Sequence, residues 1–459
     1  MALSQAGSIV PTFPAPYMEV LSLLESTPAN LFITGRAGSG KTTLVRHWLA
    51  TTGKTVAVLA PTGIAALNAG GETIHRFCRM RPNTPPRDMK TVDRREQELY
   101  RRLDAVVVDE ISMTRADVLD CLDRFLRRNG RERGVPFGGV QVVMVGDLGQ
   151  LAPVVTPDEA PIFGGHTYPT PYFFSARCWQ VTSFYTCYLR ENFRQADAAF
   201  GAVLDAIREG QITSEALYAF NDATTGLHRH PDPLRIVMTN HTVQRVNCER
   251  LDAVKGREYV YEGRVEGDLT QWPTEQELRL KTGARVMLLS NDPEKRWVNG
   301  SAGYMVRTGL TPRVELDMGG THDIEPYTWY QSTYVFNPEQ GIVGTQVVGT
   351  YEQLPLRLAW AVTAHKTQSM TLDDALVDWE RGAFAYGQAY VALSRVRTLA
   401  GLRQKRALRP SDIKVDPIVR DMMAQLDNGA VYGNAWQQVG LNIERLSPAT
   451  TGAVCRRSR

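Results

Sequence analysis

No two cysteines in this chain are spaced C-x-x-C, and none of the six (Cys78, Cys121, Cys178, Cys187, Cys248, Cys455) has a histidine at metal-ligand spacing. That excludes the usual zinc motifs and predicts reduced, mostly buried thiols, as in a cytosolic protein. Long apolar runs are missing too. No uninterrupted stretch reaches the roughly 18 residues of a membrane span, and Met1 to Pro16 lacks a charged region followed by an apolar one, so neither export nor a membrane partner is expected. An intracellular location, cytoplasm or nucleoid if bacterial, follows. Charge of one sign is scarce as well: 52 Lys and Arg face 49 Asp and Glu, a formal net charge of +3. A polyanion site must therefore come from local clusters, such as Arg124 to Arg133, Arg403 to Arg409, or Arg456, Arg457 and Arg459. No short-period repeat is visible. What remains is 459 residues with an ordinary apolar share of 43%, enough for two to four well-packed domains.

The most informative stretch is Leu31-Phe32-Ile33-Thr34-Gly35-Arg36-Ala37-Gly38-Ser39-Gly40-Lys41-Thr42-Thr43. A short apolar run leads into G-x-x-x-x-G-K-T, and an apolar-periodic helix follows, which is the context a phosphate-binding P-loop requires. Glycines let successive N–H groups turn inward, the following helix adds its positive end, Lys41 reaches the outer phosphates and Thr42 offers a hydroxyl to Mg²⁺. Gly35, Ala37, Gly38, Ser39, Gly40, Lys41, Thr42 and Thr43 are thus expected to bind a nucleoside triphosphate.

Val56 to Ala60 reads as a strand covered on both faces, ending at Pro61-Thr62-Gly63, where ligand-lining residues belong. Arg79 to Arg102 mixes prolines with charges and predicts an excursion from the core with a polar helix near Val92 to Leu103. Ala105 to Val108 then delivers Asp109 and Glu110, a Walker B pattern: Asp109 for the Mg²⁺ shell, Glu110 to orient and deprotonate the attacking water. Val140 to Val145 ends in Gly146-Asp147-Leu148-Gly149-Gln150, and the Gln150 amide is a candidate sensor of the γ-phosphate or the water. Arg194, in Leu189-Arg190-Glu191-Asn192-Phe193-Arg194-Gln195, and Arg395, in Tyr390-Val391-Ala392-Leu393-Ser394-Arg395, carry the planar cation suited to a phosphoryl transition state. Between them, recurrent glycines from Lys281 to Thr350 predict a small β-barrel inserted into a larger α/β unit. Asp416 to Arg459 reads as a helix and a loose tail.

Taken in order, GRAGSGKT, APTGIAA, ETIHRF, VVVDEISM, PFGGVQVVMVGDLGQLAPV, LRENFRQ, LRLAWAVTAHKTQSMTLDDA and YVALSRVR resemble the superfamily-one DNA helicases, and within them the petite-integration-frequency (Pif-type) helicases. Pro136-Phe137-Gly138-Gly139 looks like that family's own signature. The resemblance implies an α/β fold of two RecA-like P-loop domains with parallel sheets and ATP between them. Residues 1–190 would be the first domain with a wedge at about 79–102. Residues 191–280 and 351–415 would be the second, 281–350 the inserted barrel, and 416–459 the C-terminal helix and tail. It also implies ATP-driven 5′-to-3′ translocation on single-stranded DNA, unwinding of duplex with a 5′ overhang, and activity on G-quadruplexes and RNA–DNA hybrids. Arg194 and Arg395 match the family's arginine fingers. Thr62, Thr73, His75, Asn240, His241, Thr363, His365 and Lys366 match positions on or beside the DNA strand, although a Thr or His at a strand end can instead be a cap or a satisfied core group.

Departures from the family are Met18, where a glutamine usually reads adenine, Ser369 for glycine, and Leu148 and Ala152 for Phe and Pro. Two other readings stay open: a RecD-like motor subunit of a nuclease complex, and a nucleotide-gated single-strand binding protein that does not translocate.

Overall fold

The computed structural model describes residues 13–165, 167–195, 197–226, 232–269, 272–368, 370–427 and the backbone of 453–457. Ser369 and the side chains of Arg456, Arg457 and Arg459 lie outside the described residues. No described helix is long and apolar enough to cross a membrane.

The first domain alternates strand and helix. Its elements are α1 (Ala15–Ser26), β1 (Asn30–Gly35), α2 (Lys41–Thr51), β2 (Val56–Ala60), α3 (Gly63–Ala69), β3 (Glu72–Thr73), α4 (Ile74–Phe77), α5 (Arg94–Arg102), β4 (Ala105–Val108), α6 (Ala116–Asn129), β5 (Gln141–Gly146), α7 (Arg177–Val181) and β6 (Phe184–Leu189). The strands lie parallel in the order β6-β1-β5-β4-β2-β3. Continuous apolar runs form them because helices cover both faces. Phe32, Val106, Val142 and Met144 face one core with Phe125, Phe173 and Trp179. Leu31, Ile33, Val107 and Val145 face the other with Tyr17, Leu44 and Trp48. The polar helix expected near Val92 to Leu103 is α5, capped by Asp93. The Pro136–Gly139 signature is a packing device: Phe137, Gly138 and Gly139 all have positive φ, and a Cβ on Gly138 would lie 2.3 Å from the Leu126 carbonyl oxygen.

The second domain begins with α8 (Ala198–Glu209), α9 (Ser214–Thr224), β7 (Arg235–Val237) and α10 (Asn240–Ala253). An antiparallel insertion follows: β8 (Glu258–Glu262), β9 (Arg264–Gly267), β10 (Glu277–Lys281), β11 (Arg285–Leu288), β12 (Ala302–Arg307), β13 (Arg313–Leu316), β14 (Thr321–Asp323), β15 (Tyr327–Asn337), β16 (Ile342–Gln353) and β17 (Leu356–Leu358). The chain then returns through β18 (Ala361–Thr363), β19 (Ala375–Asp378), α11 (Gln388–Leu393), β20 (Leu402–Gln404) and α12 (Pro417–Asp427). The parallel sheet runs β18-β7-β19-β20. Strand pairing in the insertion starts at Glu258 and ends at Leu358, wider than the 281–350 expected. The outer strands are short and half-charged, so they carry little of the apolar alternation that marks a strand.

The β15–β16 hairpin reaches back onto the first domain. The Val58 N–H donates to the Tyr334 hydroxyl at 2.7 Å, and Glu72 accepts from the Thr333 hydroxyl at 3.0 Å. The end of the tail is also ordered differently from the loose segment expected: β21 (Ala453–Arg457) pairs antiparallel with β6. Cys78, Cys121 and Cys178 are free and buried, whereas Cys187, on β6, is disulfide-bonded. That corrects the all-reduced reading for this cysteine.

Candidate nucleotide cleft and DNA-facing turns

β1, β5 and β4 are adjacent, so the P-loop, Gln150 and the Asp109–Glu110 pair leave neighbouring strands at the same edge of the sheet, the edge where ligands of open α/β sheets bind. They meet in a cavity of about 710 Å³ whose walls include Lys41, Thr42, Asp109, Glu110 and Gln150 from the first domain, and Arg194, Arg395 and Arg397. A second cavity of about 790 Å³ lies under the β15–β16 hairpin and holds none of the expected site residues.

The P-loop is gripped from outside. Gly40 caps α2 with φ 79°, and Gly38, at φ +83°, has no room for a side chain: a Cβ there would sit 2.5 Å from the Arg194 Cβ. The Phe193 N–H donates to the Gly38 carbonyl at 2.9 Å, while Asn192 Oδ1 accepts from the N–H groups of Arg194 and Gln195 at 3.0 and 3.1 Å. The segment joining the two domains is thereby folded over the loop. The Ala37 N–H donates to the Tyr390 hydroxyl on α11 at 2.7 Å, and that hydroxyl donates to Asp147 at 3.1 Å. Asp147 is fully buried beside Arg208, whose Nε donates to it at 2.9 Å. Burial pulls the Asp147 pKa up, but Arg208 and Lys41 outweigh it and hold the carboxyl below its usual range. The Tyr17 hydroxyl donates to the Ser39 carbonyl at 2.9 Å.

The cations in the cleft are held under electrostatic stress. Lys41 donates to the carbonyls of Gly35 and Arg36 at 2.7 and 2.9 Å, and burial lowers its pKa to about 8 against the pull of Asp147 and Glu110. Arg395 is 1% exposed; burial first and Arg194 second bring its pKa down to about 9. Burial lowers Arg194 too. Three cations that resist charging in one pocket are what a polyanion would relieve. Asp109 fits a divalent ion. Its carboxyl is pushed up by burial, it accepts from the Glu110 N–H at 2.9 Å, and among the described residues it has no ion-pair partner, while the Thr42 side chain beside it is exposed. No cluster of three or more His, Cys, Asp or Glu suited to a metal occurs among the described residues. Glu110 itself stands at φ 51°, a left-handed conformation costly for glutamate and common where side chains are aimed for function.

The expected DNA residues fall in two groups at strand ends. Thr62 and Thr73 cap α3 and α4, their hydroxyls accepting from the N–H groups of Ala65 and Arg76 at 3.3 and 3.2 Å, so capping is an observed role of both. His75 follows on α4, its pKa lowered by burial and then by Arg115. In the second domain β18 and β7 are neighbours, which places Thr363, His365 and Lys366 beside Asn240 and His241. Asn240, His241 and Lys366 are exposed. Thr363 is buried, and burial lowers the pKa of His365. Met18 is 54% exposed on α1.

Sequence reasoning missed Asn192, Tyr390 and Gln368. The first two sit inside quoted motifs without a chemical signature of their own. Gln368 Nε2 donates to Glu110 Oε2 at 3.1 Å and to Gln150 Oε1 at 3.0 Å, a contact between domains that no spacing reveals.

Fold and cleft together define a P-loop nucleoside triphosphatase of two RecA-like domains with an inserted antiparallel β unit, whose strands form open sheets of two, five and three strands in place of the small barrel expected. The PIF1-like helicase family model matches residues 17–217. The chain is 34% identical over 425 residues to the ATP-dependent DNA helicase Pif1 of Bdellovibrio bacteriovorus, covering 89% of this chain and 90% of that one. It is 34% identical to human ATP-dependent DNA helicase PIF1, spanning 62% of that longer protein and 87% of itself. Bacteroides sp Pif1 in complex with ADP-AlF4 superposes with a TM-score of 0.83 at 33% identity, over 92% of this chain and 99% of that one. Bacteroides Pif1 bound to ssDNA gives 0.67 at 33% identity, over 92% and 99%. The chain belongs to the PIF1-like helicase family and is an ATP-dependent DNA helicase.

Proposed function

We propose that this helicase uses ATP and Mg²⁺ to move 5′-to-3′ along single-stranded DNA and to split duplex bearing a 5′ overhang, with G-quadruplexes and RNA–DNA hybrids as further substrates. The observation that carries the reading is the convergence of Lys41, Arg194 and Arg395 with Asp109, Glu110 and Gln150 on one cavity between the two domains. Gly35 to Thr43 hold the triphosphate, Lys41 leaving its loop carbonyls for the outer phosphates. Thr42 and Asp109 would hold Mg²⁺, which supplies charge neutralisation on the phosphates. Glu110 takes the proton of the attacking water, Gln150 orients that water, and Arg194 and Arg395 meet the charge that develops as the terminal phosphoryl leaves.

Loss of that anion removes what draws the two domains onto one ligand, so each turnover changes their relative grip on the strand. Thr62, Thr73 and His75 form the grip of the first domain; Asn240, His241, Thr363, His365 and Lys366 form that of the second. Phosphate electrostatics dominate at Lys366. His75 and His365, whose charged forms burial disfavours, act as hydrogen-bonding or stacking rings, so binding is tolerant of sequence. The test is Glu110→Gln: ATP binding persists while hydrolysis and unwinding collapse together. Unchanged turnover rejects Glu110 as the base.

A further inference from the structure

We propose that Gln368 is a positioning residue through which the DNA-facing turn of the second domain restrains the hydrolytic base of the first. The inference rests on the roles proposed above for Glu110 and for Thr363, His365 and Lys366.

The turn after β18 is short and internally tied. Thr367 N–H donates to the Thr363 carbonyl at 3.1 Å and Gln368 N–H to the His365 carbonyl at 3.2 Å. The Thr363 hydroxyl accepts from Lys366 N–H at 3.3 Å, and the Thr367 hydroxyl donates to the Ala364 carbonyl at 2.7 Å. Thr363 to Gln368 therefore moves as one piece. One side presents His365 and Lys366. From the other, Gln368 Nε2 spends both hydrogens on the cleft, reaching Glu110 Oε2 at 3.1 Å and Gln150 Oε1 at 3.0 Å. The same turn offers its Thr367 carbonyl to Arg395 Nη1 at 3.4 Å. A force on Lys366 or His365 is thus delivered to the base, the sensor and one arginine.

A general base must reach the proton it removes. While the Gln368 contact holds, Glu110 and Gln150 are both engaged by the same amide and are turned toward it, not toward the attacking water. Phosphates engaging Lys366 draw the turn toward the strand, the amide leaves, and Glu110 and Gln150 can turn to the attacking water. Gln368 thereby keeps hydrolysis low until DNA is on the turn.

The full chain carrying Gln368→Ala, and separately Gln368→Asn, which falls one methylene short, tests this by steady-state ATP turnover with and without saturating oligo(dT). Turnover without DNA should rise about fivefold to tenfold, the scale of one net side-chain hydrogen bond. Turnover with DNA should change by less than about twofold on the same scale, so the stimulation ratio collapses. A parallel fall in both activities at constant ratio, or no change in either, overturns the proposal. Glu110→Gln run alongside separates the two readings. If it is inactive and the ratio for Gln368→Ala is normal, only the coupling fails; if it still turns over, the base assignment fails.

Discussion

Replacing Tyr390 with phenylalanine removes one oxygen and leaves the ring in place. That oxygen joins the domains: it accepts from the P-loop Ala37 N–H at 2.7 Å and donates to Asp147 at 3.1 Å. Tyr390 is 3% exposed and Ala37 5%, so water does not replace the lost partner. An orphaned buried N–H costs about 1–3 kcal/mol, and the lost donor to Asp147 adds about 1 kcal/mol. The second term stays small because Asp147 keeps Arg208 Nε at 2.9 Å and the Gly149 N–H at 3.0 Å. The expected loss is therefore about 2–4 kcal/mol, a fall of at least about 4 °C in the first thermal transition for a domain of this size. Differential scanning fluorimetry reads that transition. The chain has two domains, so the first transition and not a global stability is the proper observable. A double variant with Asp147→Asn should be non-additive, because both side chains belong to one hydrogen-bond network. A shift below about 1 °C, with strict additivity, refutes the view that this hydroxyl joins the lobes.

Arg194→Ala should lower kcat by on the order of 10³ or more, with ATP affinity far less affected; normal hydrolysis would reject its role in the transition state. ATP affinity should weaken as pH rises through about 8, because the Lys41 pKa is brought down to that value by burial and the ammonium form is the one that binds phosphate; titration of a fluorescent ATP analogue between pH 7 and 9 measures it. Burial raises Glu72, which is 1% exposed under the β15–β16 hairpin, to about 7. The folded state then holds its proton more tightly than the unfolded chain, so stability present below the ordinary carboxylate range is lost as pH rises through 7. Glu72→Gln should flatten the pH dependence of the melting temperature between about pH 5 and 7, the interval between the ordinary and the raised value, and an unchanged slope contradicts this.

Much of the α/β frame is legible in the sequence because buried parallel strands require unbroken apolar runs: Val56 to Ala60 is β2 as read, and Ala105 to Val108 is β4. The P-loop and Asp109–Glu110 are legible for a related reason, since phosphate chemistry restricts residue type at fixed spacing. What escaped depends on contacts between distant segments. The Tyr390 hydroxyl on the P-loop and the Gln368 amide on Glu110 are contacts between the two domains, and the left-handed Glu110 is a backbone conformation that residue type does not announce. The β15–β16 hairpin docks through Tyr334 and Thr333, ordinary strand residues until Val58 and Glu72 lie beneath them. Thr62 and Thr73 show another limit: the sequence leaves open whether a hydroxyl at a strand end meets DNA or caps a helix, and only the folded chain shows the caps.

The claim that hydrolysis between the domains drives directional movement is tested most directly by stopped-flow translocation on single strands labelled at the 5′ or the 3′ end. Arrival times should lengthen with strand length for the 3′ label only, and the signal should vanish for Glu110→Gln. Arrival that is independent of length, or ATP-dependent binding without movement, would mean a nucleotide-gated clamp and not a motor.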